Sequence, residues 1–144
     1  MKMKNGQEVL SSILKTTQMG QVGIRCVFRK VTDADLKSAL HSQLQEYNEI
    51  EKKAEQLAQA RCWKVEELDP AVKTMASMMS RAQLQFGKAN SKVAAMMIQG
   101  NTRGMIKGLK NLHRYCDQDG EIIALANKLL DYEQANIKQM QGFV

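Results

Sequence analysis

Four long segments of this chain carry apolar residues at spacings of three and four, and each of these seams is interrupted by a polar residue partway along. That spacing places one apolar stripe on one side of a helix, and such a stripe has to be buried against another element. The choice of folds is thereby narrowed to helices packed on helices. The first seam, Leu10, Leu14, Thr17, Gln21, Ile24, Phe28 and Val31, predicts a helix over residues 7–30. The second, Leu36, Leu40, Gln43, Tyr47, Ile50, Ala54 and Leu57, predicts one over 34–61. Ala95, Ile98, Thr102, Met105, Leu109 and Leu112 align in a third over 91–115, and Ile122, Ala126, Leu129, Glu133 and Met140 in a fourth over 119–141.

The punctuation between the seams sets the connectivity. Thr32 or Asp33 supplies a cap for the second helix, so the first two helices form an antiparallel hairpin with a very short connection. Asp69-Pro70 marks a restart, with the aspartate as N-cap and proline in the first turn, and Val72, Met75, Met79, Ala82 and Phe86 keep helical spacing over residues 70–86. Gly87 and Asn90-Ser91 then give a stop and a new cap, and the turn at Asp117 to Gly120 closes a second hairpin. At ~1.5 Å per residue the short helix spans about 25 Å, enough with its flanks to travel the length of a helical domain. The expectation is therefore an all-α chain forming one domain over 1–144: a four-helix bundle of two antiparallel hairpins joined by a long crossover. A plain up-down-up-down bundle is the alternative.

A single proline, 44% hydrophobic and 25% charged residues agree with a helical globular chain and leave little of the turn chemistry that many strands need. Cys26, Cys62 and Cys116 are odd in number and lack the paired spacing of a zinc site, so reduced thiols are expected. The opening MKMKNGQEVLSSILK is broken by Gln7, Glu8 and Lys15, which argues against a signal peptide or membrane span and for a cytoplasmic location.

The polar residues inside the seams are the candidate site. Equal counting from the turn at Thr32 puts Gln21 opposite Gln43, with Tyr47 one turn on, and equal counting from the second turn puts Thr102 opposite Glu133. A buried glutamate without partners is costly, so polar neighbours at its level are expected. One reading is a hydrogen-bonded layer that fixes helix register. The other is a metal site, for which Glu46, Glu51 and Glu133 are the available oxygen ligands, suited to a single divalent ion of the harder kind. A di-iron centre needs Glu-x-x-His pairs, which are absent, and His41 and His113 fall off the seams.

The seams, the crossover and the stretches MMIQGNTRGMIKGLKNLH and LLDYEQANIKQMQGF resemble a small bacterial family of ferritin-like four-helix proteins of uncharacterised role. The resemblance implies a ferritin-like fold and no activity. Where metal-bearing ferritin relatives carry Glu and Glu-x-x-His, this chain has Gln21, Gln43, Thr102 and Glu133-Gln134-Ala135-Asn136, so iron chemistry is not implied.

Three further features bear on function. Gly100, Gly104 and Gly108 form a ladder that costs the helix roughly 1 kcal/mol per glycine against alanine, which points to close packing, either within the chain or across a homodimer. Arg103, Lys107, Lys110 and Arg114 make a basic face, and with a net charge of +6 an acidic protein partner is a candidate. Without interleaved aromatics or a nucleic-acid motif, nucleic acid is disfavoured, and the charges exclude a membrane helix there. Met75, Met78, Met79, Met96 and Met97 read as gap-filling core, with an adaptable docking surface as the alternative. No catalytic motif is present, and the expected role is a non-catalytic, cofactor-free protein that works through association, with a degenerate ferritin-like metal-binding or oxidoreductase protein, its weak carboxylate site at mid-bundle, as the alternative.

Overall fold

The computed structural model describes residues 2–83 and 89–144 and is all-helical, with no strand among the described residues. Helix α1 spans Gly6–Val27 and ends in a 3-10 turn, Phe28–Lys30; α2 spans Ala34–Ala60, α3 Pro70–Gln83, α4 Ala89–Arg114 and α5 Gly120–Gln141. The expected end of the crossover helix at Phe86, the stop at Gly87 and the side chains of Met79 and Ala82 lie outside the described residues.

Each helix start is capped by a short polar side chain where one is described. Asn5 Oδ1 accepts the Glu8 N–H at 2.8 Å, Asp33 Oδ1 accepts from Leu36 N at 3.0 Å, and Asp119 Oδ1 accepts from Glu121 N at 3.0 Å. These bonds satisfy first-turn donors that the helix itself leaves free. Asp69 serves α3 in the same way through Ala71 N at 2.8 Å. Asn90 does something different: its Oδ1 accepts the Thr32 N–H at 2.9 Å and its Nδ2 donates to Thr32 Oγ1 at 3.0 Å, so it ties the α1–α2 connection to the start of α4.

Helix α1 packs against α2, α3, α4 and α5, while α5 also packs against α4 and α2. At one end lie the start of α1 and the ends of α2 and α4, joined by Lys4 N–H to Arg114 O at 2.7 Å and by the Trp63 ring beside Gly6. Arg61 binds Asp119 Oδ2 there through Nε and Nη2, at 3.0 and 2.8 Å, fixing the end of α2 to the start of α5. The start of α4 meets Thr32 at the other end, so residues 61–89 connect opposite ends of the molecule. Side chains of α1 hold the first part of that connection by its backbone. Gln7 Nε2 donates to Lys64 O, Ser11 Oγ accepts from Glu66 N at 3.0 Å and Gln18 Oε1 accepts from Leu68 N at 2.7 Å. Helix α3 continues along α1, with Cys26 Sγ 3.1 Å from Ser77 Oγ.

The core is built from α1 (Leu10, Leu14, Ile24), α2 (Leu36, Leu40, Ile50), α4 (Val93, Ala94, Met97) and α5 (Ile122, Leu129, Met140). In α1, α2 and α5 the seam positions read from the sequence are buried apart from the half-buried Phe28. Helix α4 departs from its expected seam by about one residue of rotation. Its inward stripe is Val93, Ala94, Met97, Asn101, Gly104, Gly108 and Asn111, while Ile98, Thr102, Met105 and Leu112 are half-buried and Leu109 is exposed. Glycines occupy two positions of this stripe because α5 approaches too closely there for a side chain: a Cβ at Gly108 would lie 3.0 Å from Leu130 Cδ2.

Candidate functional site

Partway along the helices, polar groups from three of them are buried near one level, against a glycine of the fourth. From α2, the Tyr47 ring lies over Gly20 of α1, where a Cβ would come within 2.5 Å of Tyr47 Cε2, so the missing side chain makes the ring's place. The Tyr47 hydroxyl donates to Asn101 Oδ1 of α4 at 2.7 Å. From α5, the Glu133 carboxyl fills the space beside Gly104, where a Cβ would meet Oε1 at 2.3 Å. Glu133 is 1% exposed, and among the described residues its Oε2 has no hydrogen-bond partner; neither has Asn101 Nδ2 nor either polar atom of Gln43, one turn along α2 from Tyr47.

Burial decides the protonation of this layer. Removing the carboxylate from water disfavours its charge, and the Glu133 pKa is pushed up to about 8. At neutral pH Glu133 is mainly a neutral carboxylic acid. The Tyr47 pKa is raised by burial first, then by the charges of Glu133 and Glu46, so its hydroxyl stays a donor throughout the physiological range.

The other sequence candidates separate into different surroundings. Gln21 is buried, but its Nε2 donates to Glu51 Oε2 at 3.2 Å and does not meet Gln43. The 3-10 turn and the extended Val31 rise more per residue than an α-helix, so the α2 residue level with Gln21 falls later than equal counting gives. Thr102 is half-buried and donates to Ile98 O of its own helix at 2.7 Å; Asn101, one residue earlier, supplies the buried amide. Asn101 was absent from the sequence candidates, although its spacing to Gly104 and Gly108 places all three on one side of α4. Glu46 accepts from Asn136 Nδ2 at 3.1 Å, and burial raises its pKa.

Glu46, Glu51 and Glu133 do not converge. Among the described residues no three His, Cys, Asp or Glu side chains come close enough to hold a metal ion. His41 and His113 are exposed, and the three cysteines carry free thiols. Of the glycine ladder, Gly104 and Gly108 face α5 within the chain, while Gly100 faces open space.

The outer faces differ from expectation. Met97 is buried and Met96 half-buried, but Met75 and Met78 are 63% and 65% exposed, and Val72 is exposed beside them. Helix α3 packs on α1, with Ser77 beside Cys26 and Lys73 and Ala76 half-buried, and turns these apolar residues outward. On α4, Ile106 and Leu109 are exposed as well. Arg103, Lys107 and Lys110 are exposed and Arg114 half-buried, and none makes an ion pair among the described residues. No helix among the described residues is long and apolar enough to cross a membrane. Compared with protein-family models, curated proteins and solved structures, the chain matches none of them.

Proposed function

We propose that this chain is a non-catalytic protein that works through self-association, its helices arranged as a ferritin-like four-helix bundle whose crossover forms the contact surface. The arrangement is supported by the antiparallel neighbours α1–α2, α2–α5, α5–α4 and α4–α1, and by the end-to-end course of the segment between α2 and α4. The observation that carries the function is the outward apolar side of α3, Val72, Met75 and Met78. Exposed methionines at helical spacing give an adaptable apolar surface, and a closed twofold dimer is the commonest way to cover one. The buried polar layer, in this reading, sets which helix faces pair and at what height, and turns over no substrate.

Sedimentation velocity across a range of concentrations tests the proposal. A wild-type dimer that becomes a folded monomer on Met75→Glu with Met78→Glu is expected. A wild type that sediments as a monomer at every concentration overturns it, as does a double variant that remains a dimer.

A further inference from the structure

A groove of about 640 Å³ lies between the first turns of α1, the extended residues Lys64–Glu66 and Lys107 of α4. Four lysines line it, Lys4, Lys15, Lys64 and Lys107, against two glutamates and no arginine. Both glutamates are engaged. Glu66 Oε2 is 2.6 Å from Lys15 Nζ, so Lys15 is already ion-paired, and Glu8 takes part in the α1 cap with Asn5. Lys4 Nζ donates to Asn111 Oδ1 at 2.7 Å, and Lys107 makes no ion pair among the described residues. Lys107 is exposed on its outer side, but desolvation on the groove side, and then the nearby charges of Lys15 and Lys4, lower its pKa. Like charges held together repel, and an anion between them removes the cost.

The floor supplies hydrogen-bond donors. Ser11 and Ser12 are each about nine-tenths buried and line the groove. Ser11 Oγ already accepts from Glu66 N at 3.0 Å, and Ser12 Oγ from Asn111 Nδ2 at 2.7 Å. A hydroxyl with its acceptor role filled still has its own proton to donate. Ammonium groups act as compact point charges and bind phosphate without the planar fork that arginine brings to carboxylates. The volume is that of a small-molecule site, and no aromatic residue lines it to stack a nucleobase.

We propose that this groove binds a small oligophosphate anion, with Lys4, Lys64 and Lys107 around its charges and Ser11 and Ser12 donating to its oxygens. The site lies apart from the α3 face and stands or falls independently of self-association.

Isothermal titration with inorganic pyrophosphate and with tripolyphosphate, at fixed ionic strength, tests it. One saturable site per chain is expected, weakened about tenfold in Lys107→Ala, the loss of one charge-assisted contact. Lys30→Ala, which removes the same charge on the 3-10 turn at the opposite end of the molecule, leaves the affinity unchanged. Lys107→Gln keeps most of the side chain and shows the same loss, which separates charge from packing. Absence of saturable binding to either anion overturns the proposal, as does equal weakening by Lys30→Ala. Tighter binding of a DNA oligonucleotide, insensitive to Lys107→Ala, also overturns it and assigns the charge to the open surface.

Discussion

The Glu133 carboxyl occupies the space that Gly104 leaves by having no side chain, with Oε1 only 2.3 Å from where a Cβ would stand. A costly helix-interior glycine and a costly buried acid thus explain each other: α4 gives up a side chain so that α5 can hold a carboxyl inside the core.

Two glycines of the same ladder should therefore respond oppositely to alanine. Gly104→Ala forces a buried carboxyl to move and is expected to destabilise by about 1–3 kcal/mol of overpacking, offset in part by better helix propensity. Gly100→Ala, which meets nothing within 4 Å, is expected to gain up to about 1 kcal/mol. Urea denaturation of both variants checks the signs. Combining Gly104→Ala with the shorter Glu133→Asp should recover part of the loss, a coupling expected only of residues in contact.

The link across α1, α2 and α4 predicts a second pair of effects. Tyr47→Phe removes the donor to Asn101 Oδ1 and leaves that amide wholly unpaired, which should cost about 1–3 kcal/mol. Gly20→Ala presses a methyl group into the Tyr47 ring, which is rigid where the Glu133 side chain is flexible, so it should be the more damaging of the two core-facing glycine replacements. Chemical denaturation of the four variants side by side ranks them.

Glu133 also makes stability depend on pH. Its folded-state pKa is raised from 4.5 to about 8 by burial, and Tyr47 is the ionisable group whose titration feels the Glu133 charge. Between those values the folded chain holds a proton that the unfolded chain releases, so stability falls as pH rises through this window and levels off above it. At 1.36 kcal/mol per pKa unit the loss is on the order of 5 kcal/mol. In Glu133→Gln this component disappears, so the variant should match the wild type near pH 5 and exceed it by a few kcal/mol near pH 9. Urea midpoints at the two pH values measure the difference.

How much of this was legible in the sequence depended on which side chains filled the inward stripe. In α1, α2 and α5 that stripe is mostly Leu, Ile and Ala, so apolar periodicity reveals it directly. In α4 the inward stripe includes Asn101, Gly104, Gly108 and Asn111, while Ile98, Met105 and Leu109 sit to one side. Following the larger apolar residues therefore gives the right period and the wrong phase, and names Thr102 in place of Asn101. Helix α3 misleads for a related reason, because among its described side chains the half-buried ones are Lys73, Ala76 and Ser77, while Val72, Met75 and Met78 face out. The convergence of Lys4, Lys15, Lys64 and Lys107 was hidden altogether, since it joins residues from three separate stretches of chain.

The claim that the Glu133 layer is structural is tested most directly by the metal content of protein purified without chelator, measured by mass spectrometry for the wild type and Glu133→Gln. The account predicts no stoichiometric divalent metal in either, and melting temperatures that do not respond to added divalent ions. One equivalent of metal in the wild type, lost in Glu133→Gln together with metal-dependent stabilisation, would contradict it.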